Sequence, residues 1–599
     1  MSPGEPSGGT SSKWAPDQRE CAGQRLAICR QTVYYVYMVS IVGKKQGGHR
    51  YYYLVESARV GGKPRIVSQR YLGSADEIAQ RLSESGPGEP DRSRHLSFGD
   101  LAAVWAMLGR LSVVEIVDGA VGGRRSDAAA SVGTYFALAI LNRVVAPCSK
   151  LAFSDWWATT AGDRLVKLPA SSLDHRRFWE AMDAVSDEQL REIERRIVAQ
   201  MVELFALDCS GLVLDMTNFS TYIDSGNDRA PIAQRGHAKQ KRTDLRLVGL
   251  GLVVSTDFGV PLVSHAYPGN RPDVTQFPAV VAELVARFGP LAEAGAELTL
   301  VYDAGQDSTD NQELMEDSPL HFVGSLPPSD HPDLLAVPKG RYRVVDKAAF
   351  PGLSAFEDRI EVFGRERRVV VTHSQCLHDA QLRGFHQTLA KARRQLAEIT
   401  ARLGRGKGRK TKEGVEAEIA AVLKPRWLDR VISTALSGEE PSKLRLSWRT
   451  KPKAVEALAD ELFGKRILFT DRDEWTIVEV VAGYRSQSEV EADFRQMKDP
   501  RVVSFSPMFH FTDQKIRVHV AHCVLALMTA RLMAREAAQA GTAMSVRELL
   551  STLAGIQETV LLYQGDRGRP RARRMLTEMD STQRRLYDLF GLDTYAPTR

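Results

Sequence analysis

The chain has 599 residues, a formal net charge of +6, 43% hydrophobic and 26% charged residues, a balance that excludes a wholly disordered or fibrous protein and calls for several folded domains. Its charge is uneven: between residues 381 and 412 ten Lys or Arg stand against the single acid Glu398, a local excess of +9 that suits a polyanion. Six scattered cysteines with no C-x-x-C pair give no sign of a zinc knuckle or disulfide framework, so a reducing cytoplasm is expected.

Residues 1–31 are rich in Gly, Ser and Pro and are expected to form a disordered leader without a secretory signal. Over residues 32–90, three β-branched and aromatic runs separated by G-K-K-Q-G-G and V-G-G-K-P predict a small basic antiparallel β domain. Residues 91–206 read as a helical domain. Ser97 and Asp100 are expected to cap its first helix, and Ser186 and Gln189 a later one with Leu190, Ile193, Ile197 and Leu204 inward. Here a helix-turn-helix, with Arg176 and Arg177 toward a groove, and a plain helical bundle account for the pattern equally well.

At Gly211 the texture changes to strands: G-L-V-L-D-M-T-N, R-L-V-G-L-G-L-V-V-S-T-D and P-L-V-S-H-A-Y-P-G-N, then a helix, then L-T-L-V-Y-D-A-G and H-F-V-G-S-L. Three strands joined by turns, then a helix and a strand ending in Asp, give the order of a ribonuclease-H-like sheet. The fold class expected is multidomain α/β, a mixed sheet flanked by helices. Its core occupies 207–326 and 470–510, interrupted by an insertion at 327–469 with short strands and a long basic helix. A helical region at 511–599 closes the chain. No membrane span is expected, because His522 and Arg531 interrupt the most apolar stretch, 521–534.

Asp215 and Asp303 each end an apolar strand, where a carboxylate is costly unless paired or bound to metal. In the stretch Y-R-S-Q-S-E-V-E-A-D-F-R-Q-M-K, residues 484–498, a continuous helix would put Tyr484, Gln487, Glu491 and Lys498 within about 60° of one another, with Glu489 on the far side. An ordinary solvated helix explains that stretch alone equally well. Three carboxylates sharing one site need cations between them, and all-oxygen ligation selects Mg²⁺, with Mn²⁺ as substitute. Two such ions would clamp an in-line displacement at phosphorus.

Taken together, these segments resemble the bacterial insertion-sequence DDE transposases that carry a Y-x₂-R-x₃-E-x₆-K signature. The likeness runs from about residue 33 to 570 and includes D-M-T at 215–217, G-H-A-K-Q-K-R-T-D-L-R, Y-P-G-N-R-P-D and V-Y-D-A-G. It implies that Asp215, Asp303 and Glu491 are the catalytic metal ligands and that Tyr484 and Lys498 contact DNA. Gln487 replaces the signature arginine; Arg485 lies elsewhere on the helix, while Arg495 is placed to compensate. Further DNA contacts are expected from His237, Lys239, Lys241 and Arg242, and from Arg405, Lys407, Arg409 and Lys410. The run 404–412 departs from a phosphate loop at Arg409, so no nucleotide cofactor is expected there. His519 and His522, at i, i+3 with no third ligand in view, are expected to serve the core or DNA rather than a metal.

The activity implied is metal-dependent cleavage of transposon ends and their joining to target DNA, by a homodimer on double-stranded DNA in the nucleoid. A silent DNA-binding regulator and a stand-alone nuclease are the alternatives.

Overall fold

The computed structural model describes residues 38–60, 63–84, 89–122, 129–224, 226–237, 244–293, 295–405, 410–564 and 571–598. The expected leader lies outside them. The chain divides into two compact units, residues 1–92 with 562–571, and residues 93–561 with 572–599.

In the first unit β1 (Met38–Gln46), β2 (His49–Val60) and β3 (Lys63–Ser74) form an antiparallel meander followed by α1 (Ala75–Glu84). Gly47 and Gly48 take positive φ at the first turn, a conformation open to glycine without steric cost. Val55 and Ala58 are buried, whereas Val39, Ile41, Ile66 and Tyr71 stay exposed.

The second unit opens with β4 (Arg92–Ser97), α2 (Gly99–Arg110), α3 (Val113–Val121), α4 (Val132–Val145), α5 (Phe153–Trp157), α6 (His175–Asp183) and α7 (Asp187–Phe205). Ser186 and Gln189 cap α7 reciprocally, as the sequence predicts. The other expected cap does not form. Ser97 ends β4, Phe98 occupies the cap position of α2, and Asp100 is buried with its carboxylate on the Leu101 amide. Leu204 also departs from expectation and faces solvent, with Met201 and Phe205 buried in its place.

Next come β5 (Gly211–Thr221), β6 (Arg246–Ser255), β7 (Pro261–Pro268), α8 (Phe277–Glu293), β8 (Thr299–Val301), α9 (Thr309–Glu316), β9 (His321–Leu326) and α10 (Pro332–Leu335). The segment read as an insertion holds β10 (Arg343–Val344), β11 (Leu353–Val362), β12 (Arg365–Ser374), α11 (Gln375–Gly404), α12 (Lys412–Leu423), α13 (Leu428–Val431), β13 (Ile432–Ser437), β14 (Arg445–Thr450), α14 (Pro452–Leu462) and β15 (Lys465–Thr470). The chain closes with α15 (Ile477–Arg485), α16 (Gln487–Met497), α17 (Asp513–Gln539), α18 (Val546–Ala554), β16 (Gln557–Tyr563), β17 (Arg571–Leu576) and α19 (Ser581–Leu589).

One large mixed sheet organises this unit, in the order β10-β11-β12-β15-β9-β8-β5-β6-β7. β5, β8 and β9 are parallel and the remaining neighbours antiparallel. β6 is buried along almost its whole length, which explains its unbroken apolar run. The segment 327–469 is therefore not one separate body. Four of its strands widen the sheet, because β12 and β15 carry the apolar runs R-R-V-V-V-T and R-I-L-F-T that pair edge to edge. Its helices and the β13–β14 hairpin form their own small core around Leu396, Val415, Leu428 and Phe463.

A single apolar core runs from Phe98 to Leu592, so the expected helical, catalytic and C-terminal domains share one interior. The physical reason is α17. It is apolar around most of its circumference, and such a helix must be covered on all sides. By length and composition alone α17 would suffice to cross a membrane despite His522 and Arg531, but 83% of its apolar window is buried inside this protein, as in a core helix. Arg531 is paired with Asp493, and burial holds His522 well below the usual histidine range. The tail is not wholly helical either, since β16 joins β17 and β4 in a three-stranded sheet.

Candidate active site

β5 presents Asp215 half-buried in mid-strand, not at the expected strand end, because the strand continues to Thr221 along β6. Its parallel pairing with β8 matches Leu212 to Leu300 and Val213 to Val301. Asp215 and Asp303 each follow the last of these pairs by two residues, Asp215 still within β5 and Asp303 beyond the end of β8. β8 ends at Val301, yet the Tyr302 amide still donates to the Val323 carbonyl at 3.1 Å and Asp303 remains extended. Asp303 then caps a short turn by accepting from the Gly305 amide at 2.9 Å. A Cβ at Gly305 would stand 3.0 Å from that carboxylate, a tight contact that would press on its position. Asp215 likewise accepts from the Met216 amide at 2.7 Å.

Two further acids lie at this edge. The Tyr267 hydroxyl donates to Asp273 at 2.7 Å. Burial, and then the Asp273 and Asp215 carboxylates, raise the Tyr267 phenol well above its ordinary value. Asp307 is half-buried, and neither of its two buried carboxylate oxygens has a hydrogen-bond partner. Burial first and the Asp303 charge second push Asp307 up to about 8. Sequence reading missed Asp307, whose only signal is its spacing of four from Asp303.

The stretch 484–498 is not one helix. α15 ends at Arg485 and α16 begins at Gln487, where the Ser486 hydroxyl turns back to the Gly483 carbonyl. Even so, three residues of the expected face point to the sheet. The Tyr484 hydroxyl donates to Ser325 at 3.0 Å, and Ser325 accepts from the Ala304 amide at 3.1 Å, next to Asp303. The Gln487 amide donates to the Leu214 carbonyl at 3.3 Å, and the Lys498 ammonium to the Thr217 hydroxyl at 2.9 Å. These last two bonds fall on either side of Asp215. Glu491, one helical turn after Gln487, is exposed between them.

Tyr484 and Gln487 are therefore buried, which corrects their expected role as DNA contacts. The glutamine has a reason here. A neutral amide satisfies a buried carbonyl without the desolvation cost that a guanidinium would bring. Arg485 stacks on Phe350, its guanidinium carbon 4.4 Å from the ring centroid, and Arg495 is exposed. α16 is tied to α17 by the buried Asp493–Arg531 pair at 2.5 Å. Glu489 points away, toward Gly259.

His237 is exposed, and its carbonyl accepts from Asn218 of β5 at 3.0 Å, so the basic segment 235–246 starts alongside the strand that carries Asp215. Lys239, Lys241 and Arg242 lie outside the described residues, as do Lys407 and Arg409. Arg405 is exposed, whereas Lys410 shares Glu418 with Arg402. Arg176 and Arg177 are exposed at the start of α6, with Arg177 paired to Glu180 at 2.9 Å. His519 and His522 are buried in α17.

Among the described residues, no group of three or more His, Cys, Asp or Glu is already arranged to hold a metal ion. No protein-family profile and no curated protein matches the sequence. A solved structure titled as a piggyBac transposase synaptic complex with hairpin DNA is similar over 78% of this chain and 82% of that one, with 9% identity and a TM-score of 0.37. A likeness at that score carries no weight for fold or function.

Proposed function

We propose that this chain is a DNA transposase of the DDE kind, built on a ribonuclease-H-like sheet. The sheet order β7-β6-β5-β8-β9, antiparallel up to β5 and parallel beyond it, supports the fold. One observation carries the function. Asp215 and Asp303 each lie two residues past the last β5–β8 pair, Asp303 in the extended segment after β8, and the helix bearing Glu491 is pinned beside Asp215 by Gln487 and Lys498.

The donor set suits a hard divalent cation, since it is all carboxylate oxygen and Asp307 beside it has two unsatisfied oxygens. Asp215, Asp303 and Glu491 would hold Mg²⁺ or Mn²⁺, in two ions, which when bound would supply charge neutralisation and nucleophile activation at a phosphodiester. The chain's own residues orient the ligands. Backbone amides at Met216 and Gly305 fix the two aspartates, and the relay from Tyr484 through Ser325 to Ala304 holds the Asp303 turn. The basic segment with His237, Lys239, Lys241 and Arg242 would follow the phosphate backbone of double-stranded DNA.

The reaction proposed is hydrolysis of the phosphodiester at each element end, followed by transesterification of the freed 3′-hydroxyls into target DNA, by a dimer in the nucleoid. Incubating the full chain with Mg²⁺ and duplexes bearing the inverted repeats that flank its gene tests this. Cutting with strand transfer is expected. Cutting alone would leave a nuclease, and binding alone a silent regulator.

A further inference from the structure

A second polar site lies elsewhere in the same unit and carries the opposite charge. A cavity of about 280 Å³ is lined by Arg143, Lys150, Lys515, His510 and His519, and no Asp or Glu lines it. At roughly 30 Å³ per water this is room for about nine waters, more than an inorganic phosphate fills. Its mouth carries Trp179, Phe509 and Phe511, all exposed, with Phe509 56% accessible. Three large exposed rings around one opening form an apolar patch of the kind that marks binding surfaces.

The cations are not equally provided for. Arg143 donates to the Ser506 carbonyl at 3.1 Å and also to the Cys148 carbonyl. Lys515 is paired with Asp183 from outside the cavity. Lys150, only 7% exposed, has no hydrogen-bond partner for its ammonium, which sits 5.3 Å from the centre of the Phe178 ring. A buried, unpaired ammonium is costly, and burial followed by the Arg143 charge pushes it down to about 7. His519 donates through Nε2 to the Phe505 carbonyl at 2.8 Å and leaves Nδ1 unpartnered.

We propose that this cavity binds a nucleotide, its phosphate against Lys150 and Arg143 and its base stacked on the aromatic mouth. Phosphate demands buried donors without competing carboxylates, and a flat base demands an exposed ring to stack on. Both features meet here, and the rings keep exposed surface although Phe509 lies 5.8 Å from the Tyr222 ring, Trp179 4.6 Å from that of His175, and Arg229 5.4 Å from the Phe511 centroid. The inference rests on the cavity's own residues and stands apart from the acid edge. Its ligand is either one unit of a single DNA strand or a free nucleotide, which share this chemistry.

The test is fluorescence anisotropy of the full chain with a labelled single-stranded oligothymidylate, with thymidine monophosphate, thymidine and inorganic phosphate as competitors. Lys150→Met should weaken oligonucleotide binding at least tenfold, and Phe509→Ala, at the exposed rim where folding is not at stake, severalfold. Thymidine monophosphate should compete better than thymidine or phosphate. Competition at the oligomer's own affinity identifies a free nucleotide as the ligand, and a much tighter oligomer identifies a strand. Unchanged affinity in both variants would overturn the proposal, as would phosphate competing as well as the monophosphate. Asp215→Asn should bind the oligomer normally, which separates this outcome from any failure at the acid edge.

Discussion

The acid edge and the cationic cavity belong to one apolar core, and the chain connects them directly. Asp215 lies in β5, and Tyr222, just past the end of that strand, donates its amide to the carbonyl of Met508, between the cavity-lining Pro507 and Phe509. At the edge, backbone amides and hydroxyls satisfy Asp215, Asp303 and Asp273, leaving Asp307 without a donor. In the cavity, carbonyls engage the terminal nitrogens of Arg143 and Asp183 pairs with Lys515, leaving the Lys150 ammonium with no acceptor at all and Arg143 short of one at Nε. Each site thus fixes most of its charged groups internally and keeps one uncompensated. A group of that kind costs stability in the empty protein, and a ligand of opposite charge removes the cost.

The largest effect that would break this comparison lies at the edge. Asp215→Asn, Asp303→Asn and Glu491→Gln should each lower Mg²⁺-dependent cleavage by roughly 10³-fold while end binding persists. Glu489→Gln, on the side facing Gly259, should cut normally; gel assays of cleavage and band shift read both. Full cutting by any of the three variants would remove that residue from the site. Next is Arg531→Met, which strands the buried Asp493 carboxylate and should cost about 3–5 kcal/mol in urea denaturation.

Lys150→Met should act in the opposite direction and stabilise the ligand-free protein by on the order of 1–3 kcal/mol near pH 7. Folding depresses this ammonium from its ordinary 10.5 to about 7, so the unfolded chain binds the proton more tightly. The group's contribution is present above about 10.5 and is lost as pH falls through 7. Denaturation at pH 10 and pH 7.5 should therefore show a slope in the wild type that the variant lacks. The smallest effect is Tyr484→Phe, which loses the bond to Ser325 and about 1 kcal/mol of stability, measured by thermal unfolding.

Local patterns determined a good deal of this molecule. The N-terminal meander, the chain order of strands from Gly211, the reciprocal Ser186–Gln189 cap and the position of Asp303 just past β8 all follow from period, turn residues and burial cost over a few residues. Asp215, by contrast, lies in mid-strand because β5 runs on to Thr221. The face shared by Tyr484, Gln487, Glu491 and Lys498 was legible too, although Ser486 breaks the helix. Which of those side chains meet the sheet and which meet solvent was not legible, because that depends on β5 and β9, more than 150 residues away in sequence. The same holds for the shared core. Only when α17 is surrounded do the separate sequence segments become one interior, since an apolar helix finds its partners by packing and not by sequence proximity. The cationic cavity lies furthest from sequence reading. Arg143, Lys150 and Lys515 show no common spacing, and their charges meet only because α4, the turn after it and α17 enclose a volume that no short-range pattern encodes.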